Sequence, residues 1–148
     1  SRLHALGAMD VLASRVRAGM PYIGTSAGTN IAGPNILATN DWNVVGTDRF
    51  DAMGLVPWVI NPHYQEADPA MAPGSETRDM RIDEFLRVNA LPVLGIEEET
   101  AVCVEDGLAI VAGARRAKLF RRGAQPVWFG PGEQVPLDAA HGEAKSGT

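Results

Sequence analysis

One cysteine and three histidines are all that this 148-residue chain has of the two residue types that most often hold metals or link strands. A single thiol, Cys103, excludes an intrachain disulfide, and no zinc ligand set can be assembled from it and the scattered His4, His63 and His141. Cys103 lies in the apolar run Thr100-Ala101-Val102-Cys103-Val104, which reads as a strand, and is expected to be a small buried hydrophobe. No apolar stretch approaches the roughly 20 residues needed to cross a bilayer, and no charged-then-apolar leader stands at the start, so the expectation is a cytoplasmic protein with no membrane partner. Basic residues are also in deficit: 13 Lys and Arg against 18 Asp and Glu give a formal net charge of −5, which disfavours nucleic acid as a partner. The pairs Arg115-Arg116 and Arg121-Arg122 are expected to be solvated strand ends. There is no internal repeat. With 45% hydrophobic and 21% charged residues, the composition is that of one soluble globular domain over 1–137, followed by a small, polar stretch at 138–148 that is expected to be a flexible tail.

The first eighteen residues put Leu3, Leu6, Met9, Leu12, Ala13 and Val16 on one helical stripe. That helix has no capping residue with room before it and no lead-in strand, so the chain is expected to be the C-terminal part of a larger fold whose N-terminal part a companion chain supplies. Gly19-Met20-Pro21 breaks the helix, and a strand over Tyr22 to Gly24 follows. Further on, Pro57 to Asn61 reads as a strand, and Ser75 is expected to cap a helix with Ile82, Phe85 and Leu86 on its apolar face. Short strands come next at Val93 to Ile96, Thr100 to Val104, Leu108 to Val111, Lys118 to Arg121 and Val127 to Phe129. Glu105-Asp106-Gly107 is a hairpin signal between the second and third of these. The class is α/β, with parallel strands first and an antiparallel β-rich end.

Gly24-Thr25-Ser26-Ala27-Gly28 has the form of a nucleophile elbow. Such a strand-to-helix turn holds its middle residue in a strained conformation that pushes the side chain off the end of a sheet, and flanking glycines remove the Cβ atoms that would clash. Ser26 is then the candidate nucleophile, and the amide of Ala27 is the candidate oxyanion donor. A serine hydroxyl needs an imidazole to take its proton and a third group to orient that imidazole. His63 ends an apolar strand, where open α/β sheets put their catalytic groups, whereas His4 lies on the first helix and His141 in the tail. Two acids compete for the third role, Asp41 in the loop after the elbow and Glu98 beyond the strand Val93 to Ile96. Within Glu97-Glu98-Glu99 an extended backbone would turn Glu98 away from its two neighbours. Sequence separation leaves both open.

The chain resembles the peptidase E, or α-aspartyl dipeptidase, family of serine peptidases, whose relatives include the cyanophycinases. The likeness is carried by Tyr22-Ile23-Gly24-Thr25-Ser26-Ala27-Gly28-Thr29-Asn30, Thr39-Asn40-Asp41 and Ile60-Asn61-Pro62-His63-Tyr64. Glu76-Thr77-Arg78, Arg81-Ile82, Glu84-Phe85-Leu86 and Val93-Leu94-Gly95-Ile96 with Glu98 extend it. The resemblance implies a flavodoxin-like sheet similar to the class I glutamine amidotransferases, and serine-dependent hydrolysis of Asp-X dipeptides through a seryl acyl-enzyme. It implies Ser26 as nucleophile, His63 as base, Glu98 or Asp41 as its partner and Arg78 as receiver of the aspartyl side chain. No cofactor and no metal are called for. The family usually has Gly where this chain has Glu99, and it carries a second oxyanion donor in a Gly-rich turn ahead of the first helix. Alternatives are a cyanophycinase-like hydrolase of β-aspartyl peptides and a non-catalytic assembly module; a homo-oligomer is compatible with each.

Overall fold

In the computed structural model, residues 2–67, 70, 72 and 74–138 are described. The 139–148 tail and part of the 65–74 loop therefore lie outside the described residues. The helices are α1 (Arg2–Ala5), α2 (Ala8–Arg17), α3 (Ala27–Asn30) and α4 (Arg78–Val88). The strands are β1 (Val59–Pro62), β2 (Val93–Ile96), β3 (Thr100–Glu105), β4 (Leu108–Gly113), β5 (Ala117–Phe120) and β6 (Val127–Phe129).

A mixed four-stranded sheet runs in the order β1-β2-β5-β6, with β1 and β2 parallel and the other pairs antiparallel. Its strands alternate between two cores. Trp58, Ile60, Leu94, Ile96, Ala117 and Leu119 face Ala109 and Val111 of the β3-β4 hairpin together with Val135. Val59, Val93 and Phe120 face Ile82, Phe85 and Leu86 of α4. Burial on both faces leaves β1, β2 and β5 without an exposed position, which is why they read as continuous apolar runs. The architecture is α/β, a mixed sheet with flanking helices. The β3-β4 hairpin turns through Asp106 and Gly107, whose φ values of 50° and 75° are those a tight two-residue turn requires.

Several local expectations change. The first helix is interrupted at Gly7, whose left-handed φ of 64° swings Leu6 into solvent, while Met9 and Ala13 of α2 are buried with Met53. Thr77, not Ser75, caps α4, its Oγ1 accepting from the Met80 amide at 3.2 Å. Cys103 is exposed, because it sits on the outward-pointing side of β3, which is covered on one face only. Tyr22 to Gly24 joins neither sheet, since a strand exists through its pairing and no described residue pairs with it. Ile23 in that segment is 92% exposed. The arginine pairs are more engaged than solvated ends would be: Arg116 lies 3.9 Å over the Trp128 ring, and Arg122 donates Nε to the Leu86 carbonyl at 2.7 Å. Among the described residues, no helix is long and apolar enough to cross a membrane.

Candidate active site

The parallel register of β1 and β2 pairs Pro62 with Ile96, so the residues that follow each strand emerge side by side at the C-terminal edge of the sheet. His63 leaves β1 there with a φ of 55°, a sharp turn that lets its ring point outward while the next residue, Tyr64, dives into the core and donates its amide to the Ile96 carbonyl at 2.9 Å. Tyr64 can enter because Gly95 has no side chain: a Cβ there would stand 2.7 Å from the tyrosine ring.

Beyond β2 the three acids of 97–99 diverge. Glu97 accepts from the Arg116 amide at 2.9 Å, Glu99 lies 3.9 Å from Arg115, and Glu98 turns to His63. Glu99 holds a left-handed φ of 60°, a conformation natural to glycine. Its carbonyl comes so close to Gly113 that a Cβ on that glycine would stand 2.2 Å away.

Ser26 comes to the same edge from the elbow. Its φ of 50° and ψ of −117° are the strained pair that such a turn imposes. Gly24 must be glycine, since a Cβ on it would lie 2.5 Å from the Gly28 carbonyl oxygen. Two side chains stitch the bend: the Tyr22 hydroxyl donates to the Gly28 carbonyl at 2.6 Å and the Thr29 hydroxyl to that of Gly24 at 2.8 Å. Burial pushes the Tyr22 phenol pKa up. The short helix α3 then packs on β1, its end at Gly33 so close to the Trp58 carbonyl that a Cβ would be 2.8 Å from it.

The result is a continuous relay. His63 Nε2 lies 3.0 Å from Ser26 Oγ, and His63 Nδ1 is hydrogen-bonded to Glu98 Oε1. About half of the His63 side chain and two thirds of the Glu98 side chain face solvent, at 49% and 65%. The Ala27 amide, first in α3, donates to no described group and is free to receive a ligand oxygen. Asp41 stands apart from the relay, accepting at 3.4 Å from Thr39. Arg78 opens α4, half-buried.

Sequence reading missed the supports of this edge. Asn61, buried in β1, donates Nδ2 to the Ala38 carbonyl at 2.7 Å and to Asn40 Oδ1 at 3.0 Å, and Asn40 in turn donates to the Pro62 carbonyl at 3.3 Å. One amide side chain in an otherwise apolar strand was the available signal, because a buried polar group must find partners. Lys118 was equally hidden within the run Lys118 to Arg121. Its ammonium, in β5, reaches the Tyr64 hydroxyl and Asp79 Oδ2 at 3.0 Å each and Glu66 at 3.4 Å. Among the described residues, no group of three or more His, Cys, Asp or Glu side chains gathers as a metal site would need.

The comparisons with known proteins agree on one relationship. The sequence model of peptidase family S51 matches residues 1–112. The chain is 43% identical to the Peptidase E of Streptomyces coelicolor, covering all of this chain and 61% of that protein. It is 48% identical to a probable alpha-aspartyl dipeptidase of Drosophila melanogaster over 70% of this chain and 43% of that protein. It is 40% identical to the Peptidase E of Salmonella arizonae over 91% of this chain and 56% of that protein. The chain thus spans about half the length of the curated relatives it matches.

Proposed function

This chain belongs to peptidase family S51, and from that premise we propose that it carries the catalytic serine of a dipeptidase acting on dipeptides with an N-terminal aspartate. The observation that supports this reading most is the unbroken relay Ser26–His63–Glu98. In the proposed reaction Ser26 Oγ attacks the carbonyl carbon of the aspartyl residue while His63 Nε2 takes the hydroxyl proton, and Glu98 holds the opposite N–H and balances the imidazolium. The negative oxygen of the tetrahedral intermediate faces the Ala27 amide. On collapse the C–N bond breaks, and His63 returns its proton to the leaving amine. A water then attacks the aspartyl ester on Ser26, giving a proton to His63, which passes it to Ser26 Oγ as the ester bond breaks and aspartate leaves.

Glu98 takes the third position ahead of Asp41, whose carboxylate serves Thr39. Arg78 receives the aspartyl side chain: a planar fork of donors meets a carboxylate through two parallel bonds, which an asparagine side chain cannot reproduce. We further read the sheet as part of a flavodoxin-like, class I glutamine amidotransferase-like fold in a cytoplasmic protein, with a companion segment supplying the second oxyanion donor.

The test is Ser26→Ala, assayed on Asp-Leu with the protein purified together with any polypeptide that accompanies it. Turnover should fall by at least about 10⁴-fold with an unchanged melting curve, and a serine-directed phosphonate should label the parent protein at Ser26 only. Turnover surviving in the variant, or no label on Ser26, overturns the reading.

A further inference from the structure

The two carboxylates that flank Arg78 in the chain, Glu76 and Asp79, are each already committed to another cation. Glu76 Oε2 takes Arg81 Nη2 at 2.6 Å and Nε at 2.8 Å. Asp79 takes Lys118 Nζ at 3.0 Å and the Tyr64 hydroxyl at 2.5 Å. Arg78 itself pairs with no carboxylate among the described residues.

The Lys118 arrangement is built rather than incidental. Its side chain is 8% exposed, its ammonium lies 5.0 to 5.5 Å from the ring centres of Tyr64, Phe120 and Trp128, and its strand is buried throughout. Successive residues of a helix point about 100° apart, so Asp79 turned inward to Lys118 leaves Arg78 aimed elsewhere. The ammonium opposes two carboxylates, Asp79 and Glu66.

We infer that Lys118 and Arg81 are positioning residues for specificity: by pairing the acids beside Arg78, they keep its guanidinium available for a substrate carboxylate. This rests on the dipeptidase reading, and on Arg78 as the aspartate receiver in particular. Without Lys118, Asp79 would hold uncompensated charge in a half-buried place, beside the more exposed Glu66. That charge draws Arg78 toward itself and repels an incoming carboxylate, while a neutral asparagine side chain is spared both effects.

Binding measured by calorimetry in a Ser26→Ala background, with Asp-Leu and Asn-Leu as probes, separates the possibilities. The background protein should prefer Asp-Leu, and Arg78→Met should erase the preference. A preference that survives Arg78→Met, or absent from the start, defeats the underlying reading of Arg78. Given that erasure, Lys118→Met should lower the Asp-over-Asn ratio about tenfold while Asn-Leu affinity stays within about twofold. Adding Asp79→Asn to Lys118→Met should restore most of the ratio, and if the single variant folds poorly this double variant leaves without its cation only Glu66, whose side chain is 54% exposed. Arg81→Met, on a more exposed pair, should lower the ratio about two- to threefold. Equal weakening of both dipeptides, an unchanged ratio in Lys118→Met and Arg81→Met, or no recovery in the double variant overturns the inference while leaving Arg78 in its role.

Discussion

His63 and Glu98 stand at the ends of two adjacent strands buried on both faces, whereas Ser26 stands on a turn whose preceding segment joins neither sheet. The first pair takes its position from the core. Tyr64 fills the space over Gly95 and packs edge-on to Phe120 and Trp128 at 5.7 and 5.8 Å, so the backbone on both sides of His63 is fixed by packing. Ser26, the proposed nucleophile, takes its position from contacts made within a few residues of itself, the Tyr22 and Thr29 hydrogen bonds and the Gly24–Gly28 approach. A side chain held by the core should not move without cost to folding. One held by a local bend can be misaimed while the fold stands.

Two glycine substitutions put the largest strain on that contrast. Gly95→Ala drives a methyl to 2.7 Å from the Tyr64 ring and should destabilise the protein by about 1 to 3 kcal/mol, with activity falling alongside. Gly24→Ala drives one to 2.5 Å from the Gly28 carbonyl, inside the elbow. It should cut kcat/KM by about 10²-fold through displacement of Ser26, with a smaller loss of stability than Gly95→Ala. Denaturant midpoints and kcat/KM measured on both variants check this. If Gly24→Ala proves the more destabilising of the two, the elbow is integral to the core and the contrast fails.

How much of this was legible in the chain follows the same division. The strands that became β1, β2 and β5 were readable because two-sided burial leaves an uninterrupted apolar signature, and the elbow because Gly24 is required by its contact with Gly28, four residues on. The choice between Glu98 and Asp41 was not readable. It depends on which strand lies beside β1, a long-range pairing of Pro62 with Ile96 that no local pattern encodes. Cys103 was misread for a related reason: β3 is covered on one face only, and an apolar run does not say which of its residues face out. The strand over Tyr22 to Gly24 failed because propensity supplies a conformation but not a partner. Lys118 was invisible because its significance lies in oxygens brought from residues 64, 66 and 79.

Glu99 offers a smaller and opposite test on the sheet side. A side chain held at a φ of 60° is disfavoured by about 1 to 2 kcal/mol, and glycine removes that strain at the cost of a more flexible unfolded chain. The ion pair lost with Arg115, at 3.9 Å between exposed side chains, contributes little. Glu99→Gly should therefore stabilise the protein by about 0.5 to 1 kcal/mol, read as a raised denaturant midpoint, with kcat/KM within about twofold because Glu98 keeps its bond to His63. A loss of activity with a gain in stability would mean that the strain itself aims Glu98.

The smallest effect compares the two halves through their tyrosines, one in each. Tyr64 has its pKa pushed well up, by burial first and then by its hydrogen bond to Asp79, while Tyr22 in the elbow is raised by burial alone. A phenol whose folded pKa lies above its unfolded value keeps its proton when the unfolded chain has begun to lose it. Its contribution to stability is then fully present below about pH 10 and is lost as pH rises from there toward the folded value. Melting temperatures taken from pH 8 to 11 should be flat at first and then decline. Tyr64→Phe should remove most of that decline, at the expense of the hydrogen bond that joins Asp79 to the core, and Tyr22→Phe should remove less. The order matters more than the size: if Tyr22→Phe flattened the curve more, the bend that carries Ser26 would be the drier and better-packed side, and Ser26 rather than His63 would be the part the fold holds rigid.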